Sequence, residues 1–247
     1  MSFSAGLLRL LAAWLRPGPA PTPPRAEAAP DISVTSALLR ALGTGDPEGW
    51  AAALAPACAR FEINTKPRLA MFLANVIHET GGFRTLTENL NYSVSALLTT
   101  FGRHRISTED ALRLGRKPGQ GALNAAQQAA LADVLYGGEW GRKNLGNTQP
   151  GDGARFRGYG LIQATGRGMW DKLRAAFALP DLDSVRAWLL TKEGAALSAA
   201  WIWAVEKQCN ACADVGDMAG ARRRVNGGTI GLEEVTARYR EVLRALG

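Results

Sequence analysis

The sequence predicts an α+β domain that is predominantly α-helical, and three observations lead there. Apolar residues recur at helical spacing in segment after segment, alternation with period two is scarce, and the stretches with neither pattern are rich in glycine. Helices are expected over 36–42, 50–60 and 66–79, then 94–101 and 108–114, the last opened by a capping box of Ser107 and Asp110. They continue over 124–136, 167–177, 185–190, 192–206, 217–225 and 232–246. Residues 83–92 and 136–163 read as irregular, and any strands should be short and lie there.

Ahead of this domain, two segments have a different character. Leu7, Leu8, Leu11, Trp14 and Leu15 fall at helical spacing with Arg9 and Arg16 on the other side, which predicts an amphipathic helix over 1–16. Arg9 interrupts the apolar run and no basic n-region precedes it, which argues against a cleavable signal peptide. Such a helix suits a membrane interface or a partner, or equally a place on the main domain. Six of the twelve prolines lie in 17–30, so that stretch is expected to be an extended linker, with the globular domain starting at 31.

Composition narrows the class. The chain has 247 residues, of which 47% are hydrophobic, enough for one domain with a sizeable core and too apolar for a wholly disordered chain. No stretch reaches the roughly 18 apolar residues of a membrane-spanning helix. Lys and Arg number 29 against 22 Asp and Glu, a net charge of +7 that favours an anionic partner: nucleic acid, a membrane surface or an acidic cell wall. Three cysteines, Cys58, Cys209 and Cys212, are too few for a disulfide scaffold and fit folding in a cytoplasm with thiols reduced.

The chemistry concentrates at the end of the 66–79 helix. Leu69, Phe72, Leu73, Val76 and Ile77 form an apolar stripe, and Glu79 follows at its edge, before Gly81 and Gly82. Partial burial and the negative end of a helix dipole both favour a protonated carboxyl, which a general acid requires. Glu88 follows in a polar turn, so two carboxyls can face one cleft, the arrangement that inverting glycoside hydrolysis uses. The plainer alternative pairs Glu79 with an arginine such as Arg84 and leaves Glu88 an exposed loop charge.

His78-Glu79 begins like a zinc-protease motif, but Gly82 stands at the second histidine position and only one other histidine, His104, exists, so no metal or other cofactor is expected. Cys209-x-x-Cys212 lacks a second cysteine pair and reads as two buried thiols near a helix end. In the glycine-rich run from Gly151 to Arg167, Gln163 and Thr165 share a face if the chain there is extended. Arg222-Arg223-Arg224 reads as a solvated helix face, followed by Asn226-Gly227-Gly228.

Four segments together, His78 to Gly82, Glu88 to Ser93, Arg157 to Arg167 and Val225 to Gly228, resemble glycoside hydrolase family 19 in order and spacing over residues 35 to 245. That family holds chitinases and phage-type endolysins. The resemblance implies a lysozyme-like fold with short irregular strands beside the cleft, and inverting hydrolysis of a β-1,4 bond in an N-acetylated amino-sugar polymer. It further implies Glu79 as the acid, Glu88 as the carboxylate that activates water, Gln163 and Thr165 as holders of substrate and water, Asn226 as a substrate-binding amide and Tyr92 as a cleft wall. Tyr159 stands where many relatives have arginine. Of the family's Glu–Arg pair supporting the acid, Arg238 is a candidate for the arginine.

The expected function is therefore a cell-wall glycan hydrolase of the endolysin type, an N-acetylmuramidase from a bacterium or prophage. A chitinase is the first alternative, and a non-catalytic wall-binding or phage-tail component the second. Its partners would be peptidoglycan or chitin chains. No nucleic acid is expected, and the protein should be a monomer made in the bacterial cytoplasm and acting on the wall or periplasm. Residues 3–16 should give weak, reversible membrane contact: liposome flotation should fall on deletion of residues 1–30, and an unchanged flotation would end that idea.

Overall fold

A single helix buried on every side organises the fold. In the computed structural model, which describes residues 32–247, the segment from Leu69 to Ile77 is buried at each position, including Ala70, Met71, Ala74 and the polar Asn75. The stripe read from the sequence thus underestimates the burial, because small residues on the remaining faces let neighbouring helices close over them. The predicted helix over 1–16 and linker over 17–30 lie outside the described residues.

In chain order the helices are α1 (Ser36–Ala41), α2 (Pro47–Arg60), α3 (Lys66–Thr80), α4 (Val94–Thr100), α5 (Thr108–Leu114), α6 (Ala125–Tyr136), α7 (Gly138–Leu145) and α8 (Asp152–Arg155). They continue as α9 (Arg167–Ala176), α10 (Leu182–Leu189), α11 (Lys192–Trp201), α12 (Cys209–Asp214), α13 (Met218–Asn226) and α14 (Leu232–Ala245). The architecture is mainly helical, and every helix predicted within residues 32–247 has a counterpart. The caps are those the sequence supplies: Ser107 Oγ accepts from the Asp110 N–H, and Asn124 and Gln127 cap α6 reciprocally.

Two apolar cores result. The larger gathers Leu39, Leu54, Phe72, Trp170 and Trp203 around α3, with α2 packed on α11 and α14 on α3. The smaller joins Leu90, Leu97, Ile106, Ala111, Leu131 and Leu135 from α4, α5, α6 and the loops before α4 and α5. Pairing between extended segments is limited, among the described residues, to isolated bridges: Thr87 and Ala164 each pair antiparallel with Tyr159, and Ser93 pairs parallel with Arg116.

The stretch over 136–163, expected to be irregular, contains α7 and α8. Its glycines serve close packing as well as turns. A Cβ on Gly141 would lie 1.9 Å from the Tyr136 carbonyl oxygen, and one on Gly153 would lie 2.5 Å from that of Ala132. The stretch is pinned at its end by Arg167, whose Nε and Nη2 donate to Asp152 at 3.0 and 2.6 Å, while Asn147 Oδ1 accepts from the Arg167 N–H at 2.8 Å. Burial alone raises the Asp152 carboxyl, but the Arg167 guanidinium and the N–H groups of Gln149 and Thr148 outweigh it and hold it below its ordinary range.

The helix expected over 192–206 stops being α-helical at Trp201. Residues Ile202–Glu206 widen into a π turn, closed by the Lys207 N–H on the Ile202 carbonyl at 2.8 Å. Trp203 stays buried and donates Nε1–H to Asn210 Oδ1.

Cys209 and Cys212 are both buried at the start of α12 and unbridged, the plain reading of that pair. Burial pushes the Cys209 thiol, and likewise Cys58, from an ordinary 9.0 up to about 12. Folded protein at pH 8 should therefore resist iodoacetamide at both positions and react promptly in denaturant, as intact-mass spectrometry would read. Because the unfolded thiols ionise first, each contributes stability that is full below pH 9 and is lost as pH rises toward 12. Rapid labelling of the folded chain at Cys58 or Cys209 would overturn this.

Candidate active site

The end of α3 places Glu79. Gly81 adopts the left-handed conformation (φ 59°) and returns its N–H to the Ile77 carbonyl, while the Gly82 N–H bonds the same oxygen at 2.9 Å. Thr80, the last residue of α3, donates its hydroxyl to the Val76 carbonyl at 2.7 Å and accepts from the Phe83 N–H at 2.8 Å. The helix end is thereby locked, and the Glu79 side chain, about one fifth exposed, faces a cleft.

Across that cleft edge, Arg222 of α13 donates Nη1–H to Glu79 Oε1 at 2.5 Å. Arg222 is only 3% exposed. Its Nε–H is taken by the Ile230 carbonyl at 2.8 Å, and Nη1 also approaches Asn75 Oδ1 at 3.4 Å. Asn75 and Glu79 are four residues apart, one turn of α3, so a single helix face presents both acceptors. The expectation of a solvated basic face over 222–224 holds for Arg223 and Arg224 and fails for Arg222. The physical reason is that three acceptors from two elements replace its hydration. Arg238 pairs instead with Glu241 at 2.6 Å one turn along α14, and Arg84 bonds the Gly81 carbonyl, so neither supports Glu79.

Glu88 is fixed from the other side. Its backbone N–H donates to the Gly158 carbonyl at 2.9 Å, and the Gly158 N–H returns to Oε2 at 3.1 Å. Oε1 accepts the hydroxyl of Tyr136, a buried phenol that burial and the Glu88 charge push well above its ordinary range. Two donors face this carboxylate, which suits an ionised acid that only accepts. Glu88 is therefore no loose loop charge.

Gln163 and Thr165 lie beside Glu88, but not on an extended strand. Gln163 sits at φ 47° in the tight turn between the bridged residues Tyr159 and Ala164, and Thr165 Oγ1 donates to its carbonyl at 2.9 Å. Gln163 Nε2 donates to the Gly160 carbonyl, while its Oε1 is buried with no hydrogen-bond partner in the protein. Gly158 makes room for this. A Cβ there would lie 2.6 Å from Gln163 Oε1 and 3.2 Å from Thr165 Oγ1.

Asn226 ends α13. Its Nδ2 donates to the Ile230 carbonyl at 3.1 Å and its Oδ1 accepts from the Gly228 N–H at 3.0 Å. Arg222 and Asn226 thus hold the 227–231 loop by the same carbonyl oxygen. Tyr92 is half-buried and packs edge-on against Phe101. Tyr159 belongs to the core, edge-on to Trp170.

One cleft of about 430 Å³ is lined by Glu79, Glu88, Tyr92, Gln163, Thr165 and Asn226 together. Arg105, Phe101, Tyr136 and Trp140 complete the wall on the smaller core, and Ile202, Lys207 and Val225 the wall on the larger. Sequence reasoning missed Arg222, Tyr136, Arg105 and Lys207. Only Arg222 carried a signal, being one turn before the Asn-Gly-Gly segment.

Comparison with known proteins identifies the family and the fold. No family profile matches the chain. It is 32% identical over 188 residues, 72% of this chain and 80% of the relative, to a Haemophilus influenzae protein described as a glycosyl hydrolase family 19 domain-containing protein. Among solved structures its fold is similar to chitinase C from Streptomyces griseus HUT6037, with a TM-score of 0.57 at 15% identity over 90% of this chain and 79% of that one. A variant of the same chitinase C gives a TM-score of 0.54 at 14% identity. The fold is thus the mainly helical, lysozyme-like one, and the protein is a glycoside hydrolase. The chain belongs to glycoside hydrolase family 19.

Arg222→Met removes the partner of Glu79 and of Asn75 while keeping the stem. A buried ion pair broken on one side costs about 3–5 kcal/mol, and partial exposure of Glu79 places this one at about 2–3 kcal/mol. Urea denaturation should report that loss with unchanged m, and a variant as stable as the parent would show that Arg222 is dispensable to the fold.

Proposed function

We propose that this protein cleaves the β-1,4-linked glycan of peptidoglycan as an inverting N-acetylmuramidase, with Glu79 as general acid and Glu88 as general base. The observation that carries the reading is that two carboxylates, held by different donors on separate elements, line one cleft. Separate carboxyls with room for a water between them define inverting hydrolysis.

The step balances as follows. Glu79 transfers its proton to the glycosidic oxygen as the C1–O bond breaks, and the leaving sugar departs as an alcohol. Water attacks C1 from the opposite face while Glu88 takes its proton, so the new anomeric hydroxyl has the opposite configuration. Solvent then restores the proton to Glu79 and removes it from Glu88. Gln163 and Thr165, which line the cleft with Glu88, are the side chains assigned to holding that water or the substrate, and Tyr92 lines the wall. Asn226 contributes by shaping the 227–231 loop as much as by offering its amide.

The net charge of +7 favours an anionic wall polymer over neutral chitin. Chitin hydrolysis is the second reading, favoured by the likeness in fold to a chitinase. On the wall reading, the protein is made in the bacterial cytoplasm and works at the wall, in the manner of an endolysin.

The test is digestion of purified peptidoglycan and, in parallel, of chitin oligomers, with chain ends identified by mass spectrometry. Reducing N-acetylmuramic acid ends are expected, with the anomer first formed inverted by NMR. Glu79→Gln and Glu88→Gln should each lower the rate by about 10²–10⁴-fold. Cleavage of chitin alone would make the protein a chitinase. Cleavage untouched by Glu79→Gln would remove the assigned acid, anhydro ends indifferent to Glu88→Gln would indicate a lytic transglycosylase, and no cleavage of either polymer would favour a binding component.

A further inference from the structure

Arg105 is a cation that the two-carboxylate mechanism does not use. It lies in the loop between α4 and α5, is half-buried, and lines the cleft. Its guanidinium carbon stands 4.0 Å from the Trp140 ring centroid, 4.7 Å from that of Phe101 and 5.3 Å from that of Tyr136. Its Nε–H donates to the Leu135 carbonyl at 3.3 Å, which fixes the plane of the group. Among the described residues Arg105 makes no ion pair.

The charged or titratable groups that face it are Glu88, Tyr92 and Tyr136. Glu88 has both oxygens engaged, by the Tyr136 hydroxyl and the Gly158 N–H. Burial pushes the Arg105 guanidinium below its ordinary range, and Tyr136 and Glu88 offset this only in part. A desolvated cation without an ion-pair partner is costly, and the hydroxyl and acetamido oxygens of a neutral glycan repay it only in part. A carboxylate on the sugar does, because guanidinium and carboxylate match in shape and charge. Lys207, on the wall of the larger core, is also a cation, but its flexible stem does not fix a direction.

We propose that Arg105 sets the cleft's preference for an anionic over a neutral amino-sugar chain by receiving a carboxylate carried by the substrate's muramic-acid unit. This rests on the reading of the protein as a cell-wall glycan hydrolase and names the group that its substrate must present. The carboxylate has two possible sources. In peptide-free glycan it is the lactyl carboxylate itself, and in intact peptidoglycan, where the lactyl group is amidated, it belongs to the peptide stem.

The experiment measures kcat and KM for the full chain, Arg105→Met and Arg105→Lys on peptide-free glycan, intact peptidoglycan and chitohexaose, with folding checked by thermal melting. Arg105→Met is expected to lower kcat/KM on an anionic substrate at least ten times more than on chitohexaose, chiefly through KM, and Arg105→Lys to restore part of it. A selective loss on peptide-free glycan assigns the lactyl carboxylate, and a loss confined to intact peptidoglycan assigns the stem. An equal loss on all three would mean that Arg105 acts through Glu88 or through packing, and would overturn the inference, as would no loss on any.

Should the wild-type chain cut no peptidoglycan, binding separates the two ideas. Glu79→Gln protein, with and without Arg105→Met, is titrated with a peptide-free muramyl tetrasaccharide and with chitotetraose. An Arg105-dependent preference for the muramyl ligand keeps the inference while the hydrolytic reading falls, and no such preference overturns the inference.

Discussion

The site depends on a buried arginine. Taking Arg222 out of water is expensive, and the cost is met only because Glu79, Asn75 and the Ile230 carbonyl converge on it from two separate elements. Those contacts tie the end of α3 to α13 and to the loop behind it. The same Ile230 oxygen is bonded by Asn226, so the position of the proposed acid and the shape of the 227–231 loop are fixed by one junction. Asn75 matters here although it does not line the cleft. Buried on α3 and anchored by Nδ2–H to the Met71 carbonyl, it presents Oδ1 to the guanidinium at a fixed angle.

The opposite carboxylate is held by different means. Glu88 sits in a loop, and a loop side chain is ordinarily the least determined part of a protein. Here the backbone exchange with Gly158, the Tyr136 hydroxyl and the adjacent Thr87–Tyr159 bridge give it the definition of a strand residue. Gly158 is central because it donates to the carboxylate and accepts from the Glu88 N–H, and because its lack of a Cβ lets Gln163 and Thr165 approach. A few isolated bridges thus do what a longer sheet would do.

Much of this was legible in the sequence, and the reasons for the rest are physical. Glu79 could be placed because helical periodicity and the following glycines define both the face and the end of α3. The helix over 108–114 could be placed because its cap is local, as Ser107 shows, and the others by their helical spacing. The pairing of Glu79 with Arg222 was not legible. Residues 143 apart in sequence meet there, and in a run of three arginines nothing local separates the buried one from the two exposed. Glycine misled in the opposite direction over 136–163. Gly141 and Gly153 fall in the stretch expected to be irregular but sit in helices whose packing leaves no space for a Cβ. Gln163 and Thr165 would share a face on an extended chain, but a left-handed turn at Gln163 brings them to the same cleft instead.

The cleft's charges complete the argument. Two carboxylates of like sign line one cleft, and each has its own partners. Glu79 has a full charge in Arg222, behind it and away from solvent, whereas Glu88 has neutral donors and, farther off, the field of Arg105. The compensation is unequal in kind. A guanidinium bonded to Oε1 fixes the position of Glu79. Neutral donors, the Tyr136 hydroxyl and the Gly158 N–H, fix that of Glu88. Arg105, anchored by Nε–H on the Leu135 carbonyl, stands near Glu88 without an ion pair to it, and the partner proposed for it is a group on the substrate.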